Sequence, residues 1–310
     1  MLTVLKTALE VGLIYGLVAL ALFISFSILN IADLSTDGCF TLGCAVGAML
    51  TIAGHPLLAL PAAMAAGVLS GFITAFLQTR LGVESILAGI ISNTGLYTIN
   101  LAVMGFSSNV SITGVDTVFS LFKGLVGGQW SRLILLALIA AVIVFVLIRF
   151  FGTSLGLSIR ATGDSLDMVS ASSINPKATI TIGLCLANAL TALSGCLIGE
   201  YNKFCDINLG TGMVTIALAS LIIGEVFAGR RGSVGKRVVC VVLGSIVYRF
   251  IIALALRLNI SAEYFKLVSA VIVAVAIAAP NMKDYVHLAK IKSNARKLRA
   301  LSGKGDETDA

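Results

Sequence analysis

The sequence predicts an all-α, polytopic integral membrane protein with about nine transmembrane helices, in a range of eight to ten. Hydrophobic residues make up 58% of the 310 residues and charged residues only 12%, which no ordinary soluble domain shows. Apolar runs of about 20 residues recur along the chain, and each is long enough to cross a hydrocarbon layer of about 30 Å. Glycines four residues apart, as in the pairs Gly12/Gly16 and Gly195/Gly199, favour close packing between helices.

The apolar runs and the breakers between them define the predicted spans. In order they lie near residues 8–29, 35–53, 57–78, 85–105, 131–150, 178–200, 211–228, 238–256 and 264–280. The second run is irregular, because acidic residues lie at its N-terminal end and glycines interrupt it. It is therefore predicted to be a span, a half-span or a re-entrant element. Residues 1–282 therefore form one transmembrane domain, and residues 283–310 form a basic cytoplasmic tail that is partly disordered.

Lysine and arginine residues orient these spans, because such residues accumulate on the cytoplasmic side. The tail after Pro280 is rich in them, and alternation places Gly156–Lys177 and Gly229–Arg237 on the same side. The loops Ser107–Trp130 and Tyr201–Gly210 and the N-terminus then lie outside. The net charge of +7 thus reflects a multi-pass topology, which we assign to a bacterial cytoplasmic (inner) membrane. The tail lacks interleaved aromatic residues, so we expect it to contact anionic lipid and no nucleic acid.

The cytoplasmic loop 152–177 is both polar and ordered. Its main part, Gly156–Lys177, reads GLSIRATGDSLDMVSASSINPK and cannot lie in hydrocarbon, where its backbone and charged groups would be unsatisfied. Asp164 is predicted to cap a short helix over residues 164–173, and Asn175-Pro176 to end the loop before the next span. A compact helix on the surface of a membrane protein indicates a docking element for a cytoplasmic partner.

Two segments resemble a known family. The pattern G-x-x-I-R-A-T at residues 156–162, followed by an acidic helix, is similar to the coupling-helix region of permeases from ATP-binding-cassette (ABC) importers of the branched-chain amino acid and ribose type. Ile31–Gly47, IADLSTDGCFTLGCAVG, resembles the branch associated with aromatic amino acid (tryptophan/tyrosine) uptake. The likeness extends from about Leu9 to Pro280. Residues 170–173 depart from it, because they are more polar than the usual alanine and leucine run.

The resemblance implies the permease subunit of an importer. Two copies would form the path as a homodimer, a cytoplasmic ABC ATPase would dock on the coupling helix, and an extracytoplasmic substrate-binding protein would deliver an amino acid, with an aromatic one favoured and a sugar or nucleoside as the alternative. The chain would be no enzyme and would bind no cofactor, since ATP and magnesium would belong to the ATPase. The docking residues implied are Arg160, Asp164, Leu166, Asp167, Val169 and Ser173.

Polar residues within the predicted spans are candidates for a translocation path. A charge at the centre of a span costs about 2.5–3.5 kcal/mol, so such residues normally face protein or water. Asn93 and Asn100 are seven residues apart and share one helix face, although hydrogen bonding between helices is an equal alternative for each of them. Asp33 and Asp37 also have a capping role as their alternative. The candidates are Asp33, Asp37, Thr41, Asn93, Asn100 and Asn188.

Other functional classes have less support in the sequence. Gly229–Arg237 lacks the first glycine and the Ser/Thr of a phosphate-binding loop, so ATP hydrolysis would require a separate chain. The six cysteines and two histidines are too scattered for a metal site. An ion- or proton-coupled secondary transporter remains the alternative, with Asp33, Asp37 or Glu225 as the coupling carboxylate, but an ordered docking helix has no role in that class.

Overall fold

A computed structural model of the protein describes residues 2–229 and 232–257, together with the isolated positions 267, 270, 271 and 274. The basic tail at 283–310 lies outside the described residues, as does the predicted ninth span at 264–280 apart from those four positions. The fold below therefore concerns the first eight predicted spans and the segments between them.

The described chain is almost entirely helical, as the apolar runs predict. The helices are α1 (Leu2–Leu22), which continues as a π-helical segment (Phe23–Ile28), then α2 (Thr36–Ile52), α3 (Pro56–Thr79), α4 (Ser85–Val103), α5 (Val118–Val126), α6 (Ser131–Phe151), α7 (Ser154–Asp164), α8 (Leu166–Ser170), α9 (Pro176–Asn202), α10 (Met213–Ala228) and α11 (Val234–Arg257). Two three-residue strands, β1 (Asn109–Ser111) and β2 (Phe204–Asp206), pair antiparallel with Val110 opposite Cys205.

Within the described residues, six helices are long and apolar enough to cross a membrane: α1 with its π-helical extension, α3, α4, α6, α9 and α11. The shorter apolar helices α2 and α10 correspond to the second and seventh predicted spans. The interruption predicted within the second span is wrong, because α2 is a continuous helix of 17 residues, or about 26 Å. Its glycines do not break the helix. They face neighbouring helices instead.

Helix α9 lies at the centre of the packing. In its apolar stretch 83% of the residues are buried, against 22% in the peripheral helix α6. Glycine contacts allow neighbouring backbones to approach it closely: a Cβ atom added at Gly43 of α2 would lie 2.5 Å from the Cα atom of Ala192 in α9. Likewise, a Cβ at Gly195 of α9 would lie 2.9 Å from the carbonyl carbon of Phe40 in α2. We conclude that these paired glycines pack helices within one chain.

The connections predicted to lie outside the membrane are folded around a buried carboxylate. Helix α5 is capped by Thr117, whose hydroxyl accepts a hydrogen bond from the amide of Ser120 at 3.3 Å. The buried Glu200 of α9 accepts a hydrogen bond from the Val118 amide at 2.9 Å and another from the Thr51 hydroxyl at 3.1 Å. A carboxylate at a helix N-terminus complements the positive end of the helix dipole. Glu200 thus fixes α5 to the C-terminal ends of α2 and α9.

Candidate coupling surface and polar centre

The loop 152–177, which was predicted to be cytoplasmic, folds as two helices that are seated on the transmembrane body. Helix α7 is capped by the Thr153 hydroxyl, which accepts a hydrogen bond from the Gly156 amide at 3.3 Å. A Cβ atom added at Gly163 would lie 2.8 Å from the carbonyl carbon of Ile28, so α7 meets the π-helical end of α1 backbone to backbone. Ile159 is fully buried between them. The G-x-x-I-R-A-T pattern therefore includes residues that seat α7 on the protein.

A pair of hydroxyl groups joins α7 to the central helix. The side chains of Thr162 and Thr179 are buried, and their hydroxyl oxygens lie 2.8 Å apart. Asn175 caps α9, because its side-chain oxygen accepts hydrogen bonds from the amides of Lys177 at 3.0 Å and Ala178 at 3.4 Å. The predicted end of the loop at Asn175-Pro176 is confirmed. The hydroxyl pair thus connects α7 to the first turn of α9.

Helix α8 begins one residue later than predicted. Asp164 was expected to cap it, but Asp164 is the exposed last residue of α7, and Ser165 is the cap, with its hydroxyl accepting from the Met168 amide at 3.3 Å. Aspartate and serine are both favoured at this position, so composition alone did not separate them. The short helix predicted over 164–173 is correspondingly only Leu166–Ser170.

The apolar residues of α8 point in different directions. Val169 is only 1% exposed and packs inward, whereas Leu166 is 53% and Met168 60% exposed. Of the other predicted docking residues, Asp164, Asp167 and Ser173 are exposed and Arg160 is half-buried. Val169 therefore serves to seat α8, and Met168, which was not singled out from the sequence, takes its place on the exposed surface. The signal in the sequence that could have identified Met168 is that it is a large apolar residue within an otherwise polar loop.

Asp33 and Asn188 meet in a buried polar centre between α2 and α9. One oxygen of the Asp33 carboxylate accepts a hydrogen bond from the Asn188 amide group at 2.9 Å. The other accepts from the Ser35 amide at 2.9 Å and the Ser35 hydroxyl at 2.6 Å. Asp33 is 3% and Asn188 1% exposed. Hydrogen bonds to a carboxylate are among the stronger ones in proteins, so this contact holds the chain before α2 against the middle of α9.

Asp37 and Thr41 hold the loop before α10. The two carboxylate oxygens of Asp37 accept hydrogen bonds from the amides of Gly212 and Val214, each at 2.9 Å, and the Thr41 hydroxyl accepts from the Gly210 amide at 3.1 Å. The capping role anticipated for Asp37 is therefore present, although the capped helix is α10. Which helix Asp37 caps depends on a contact across 175 residues of sequence, and no local sequence pattern contains that information.

Asn93 and Asn100 share a face of α4, as their spacing predicts, and this face meets α2. The side-chain amide of Asn100 donates a hydrogen bond to the carbonyl oxygen of Gly38 at 3.0 Å. A Cβ atom added at Gly38 would lie 2.6 Å from the side-chain oxygen of Asn93. Both asparagines therefore contribute to packing between helices within one chain, and their role in a path stays a prediction.

A second polar contact lies at the π-helical end of α1, next to the residues that contact α7. Arg237 of α11 donates hydrogen bonds to Glu225 of α10 and to Ser27 of the π-helical segment, each at 2.6 Å, and the Ser27 hydroxyl also hydrogen-bonds Glu225. The guanidinium carbon of Arg237 lies 5.0 Å from the centroid of the Phe23 ring. In the sequence analysis, Arg237 served only as part of a basic segment that marks the cytoplasmic side. This contact instead joins three helices next to α7.

These features define a class of protein: a multi-pass membrane protein that carries a pair of seated, partly exposed helices at one end and whose buried polar groups tie its helices together. Residues 4–277 match the family described as branched-chain amino acid transport system / permease component, and the chain belongs to this family. It is therefore a transport permease, and the resemblance given by the sequence is confirmed.

Two relatives cover nearly the whole chain. A protein of Clostridioides difficile (strain R20291) named "Tyrosine transport system permease protein" is 30% identical over 294 residues, which is 94% of this chain and 95% of the relative. An uncharacterized protein of Rickettsia prowazekii (strain Madrid E), RP368, is 31% identical over 284 residues, or 91% of this chain and 99% of the relative. No solved structure matches the chain.

Proposed function

We propose that the protein is the permease subunit of an ABC importer in the bacterial inner membrane, and that it forms the translocation path for an amino acid, with an aromatic one favoured. The family supports the permease role, and the tyrosine transport relative supports the substrate class. The observation that carries the proposal is the α7–α8 pair, which is exposed on one side and locked to the helices on the other.

The proposed mechanism couples this pair to the spans by direct contact. An ATPase that holds ATP and magnesium would press on the exposed surface of α8, which includes Leu166, Asp167 and Met168. Motion would then pass through Gly163 to the end of α1 and through Thr162 to α9. Closely packed helices respond to such a push as rigid bodies, so the spans would switch between outward- and inward-facing arrangements.

The proposed assembly contains two further proteins. A second permease copy would complete the path, and an extracytoplasmic binding protein would deliver the substrate to the outer surface. The ion-coupled alternative is less well supported, because each of its candidate carboxylates already has donors: Asp33 has Ser35 and Asn188, Asp37 has two backbone amides, and Glu225 has Arg237. A carboxylate engaged in this way is poorly placed to exchange an ion.

The test uses α8 itself. The double variant Leu166→Asp/Met168→Asp changes only exposed side chains, so we expect it to be inserted and stable but to lose the ATPase that co-purifies with the wild-type protein from gently solubilised membranes. Phe106→Asp is the matched control, because Phe106 is 75% exposed beyond the outer end of α4. An unchanged yield of ATPase with the double variant would contradict the docking role.

Val169→Asp separates docking from folding. Val169 is 1% exposed, and an unpaired charge placed there would be desolvated. We therefore expect this variant to lose thermal stability as well as the ATPase, whereas the double variant loses only the ATPase. The melting temperature of each purified variant distinguishes the two effects.

A further inference from the structure

Two adjoining cavities open at the end of the molecule opposite α7 and α8. Their volumes are about 300 Å³ and about 160 Å³, and both are lined by Lys123 of α5, Arg132 of α6 and Tyr201 of α9. The larger one also reaches Lys6 and Glu10 of α1. A cleft of this volume is at the lower end of the range for small-molecule sites. The cavities thus lie where four helices converge on the side away from the coupling surface.

The lining of these cavities carries an excess of positive charge. Its cations are Lys6, Lys123, Arg132 and Lys203, and its carboxylates are Glu10 and Glu200. Lysine and arginine accumulate at the cytoplasmic ends of membrane helices, so topology does not account for four of them at the opposite end. Lys123 and Arg132 have exposed side chains, and no hydrogen bond or ion pair within the described chain engages the Lys123 ammonium group. They are therefore available to an anionic group.

One of the two carboxylates has a hydrogen-bond donor on only one of its oxygens. Glu200 is satisfied by Thr51 and Val118, but only one oxygen of the buried Glu10 accepts a hydrogen bond, from the Tyr201 hydroxyl at 2.9 Å. The other oxygen is buried and has no hydrogen-bond partner within the described residues. The Lys6 ammonium lies 3.8 Å from it and donates instead to the carbonyl oxygen of Gln129. The Glu10 carboxylate is thus held by one hydrogen bond and one long ion pair, and among the groups that line the larger cavity it is the one with negative charge that a cationic part of a ligand would face.

Aromatic rings lie between the anionic and the cationic groups. The Tyr201 ring packs edge-on against Phe119, with their centroids 6.0 Å apart, and the guanidinium carbon of Arg132 lies 5.8 Å from the Tyr201 ring. Phe119 lines the smaller cavity. An apolar or aromatic side chain of a ligand would therefore find a matching surface beside the charged groups.

We propose that these cavities bind a free α-amino acid on the outer side of the membrane before it enters the path. The ligand's carboxylate binds Arg132 and Lys123, its ammonium group pairs with the Glu10 carboxylate, and its side chain lies against Phe119 and Tyr201. The inference rests on the proposed function, because it assigns an entry site to the same substrate class. It adds a recognition site that belongs to the permease itself.

The test is direct binding to the full-length chain in lipid nanodiscs, without ATPase or binding protein. Isothermal titration with the standard amino acids, starting with tyrosine, is expected to show saturable binding of at least one. An analogue that lacks the carboxylate, such as tyramine for tyrosine, and one that lacks the ammonium group, 4-hydroxyphenylpropionate, should each bind about 10- to 100-fold more weakly, as expected for loss of a charged hydrogen bond. If either analogue binds as tightly as the amino acid, the contact proposed for the group that this analogue lacks is wrong.

Variants locate the ligand. Arg132→Gln and Lys123→Gln alter exposed side chains, so they should fold normally and weaken binding about 10-fold or more, and Glu10→Gln should weaken it further. The matched control is Lys236→Gln, which removes the same charge from an exposed site at the inner end and should leave binding unchanged. Unaltered binding in both Arg132→Gln and Lys123→Gln would place the ligand elsewhere and overturn the proposal.

The outcome for this site is distinct from the outcome for the proposed function. If no amino acid binds but ATP-driven uptake by the complete transporter in vesicles is intact, the entry site is wrong and the importer role stands. If an amino acid binds with the expected dependence on Arg132 and Glu10 but no ATPase supports its uptake, the entry site stands and the importer role is wrong.

Discussion

Replacing Gly43 with alanine tests the close approach of α2 and α9, on which the polar centre depends. The added Cβ atom would lie 2.5 Å from the carbonyl carbon and the Cα atom of Ala192, whereas carbon atoms in contact lie about 3.5–4.0 Å apart. The two helices would have to separate by about 1 Å. Such a shift would stretch the 2.9 Å hydrogen bond between Asn188 and Asp33 beyond its normal range.

The expected magnitude follows from two opposing effects. Overpacking costs about 3 kcal/mol when backbone must move, and alanine regains about 1 kcal/mol of helix propensity relative to glycine. The net loss of about 2 kcal/mol corresponds to a fall in melting temperature of roughly 4–8 °C. Gly95→Ala is the matched control, because a Cβ atom at Gly95 of α4 would have no neighbour within 4 Å. That variant should melt at or above the wild-type temperature.

The chain provides its own reporter for this assay. Five of its six cysteines are buried and the sixth is half-buried, so a dye that becomes fluorescent on reaction with thiols will follow unfolding in detergent. Heating of membrane proteins is commonly irreversible, and the variants must be compared at one heating rate. A melting temperature for Gly43→Ala equal to that of Gly95→Ala would refute the close contact between α2 and α9.

Two further variants address the polar contacts. Asn188→Leu removes the donor to the buried Asp33 carboxylate, so the free energy of unfolding should fall by about 1–3 kcal/mol; loss of uptake with an unchanged melting temperature would instead show that Asn188 lines the path. Arg237→Gln removes the ion pair with Glu225, whose side chains are about 28% and 34% exposed, so the loss in stability should stay below about 1 kcal/mol. Melting curves at low and high salt would check this, and a loss of several kcal/mol would contradict the partly solvated geometry.

The positions of the first eight spans could be predicted because they depend on local information. A run of about 20 apolar residues crosses the membrane wherever its partners lie, and breakers such as Asn175-Pro176 act on the backbone next to them. The glycine pairs were likewise visible as sites of close packing. Their partners were not, since nothing in the sequence shows that Gly43 meets Ala192 or that Gly12 meets Ile246 of α11.

The errors concern side chains whose role is set by distant partners. Leu166 and Val169 were both expected to be docking residues, but contact with the body of the protein buries Val169, whereas Leu166 is exposed. The predicted span 178–200 placed Glu200 at its end, but the sequence did not reveal the hydrogen bonds from Thr51 and Val118 that satisfy its carboxylate in the interior. In both cases the decisive neighbour is remote in sequence, so a local pattern could identify the residue but not its contact.

Helix α9 offers a physical connection between the two ends of the molecule. It has 27 residues, or a length of about 40 Å, and it is buried along most of that length. Its first turn is joined to α7 through Thr179, its middle holds Asp33 through Asn188, and its last turn presents Glu200 and Tyr201 to the outer cavities. A closely packed helix does not shift easily at one end only, because its contacts leave little free volume. We therefore expect a displacement of α7 by a partner to alter ligand affinity at the outer cavities, and occupancy of those cavities to alter the partner's affinity by the same factor.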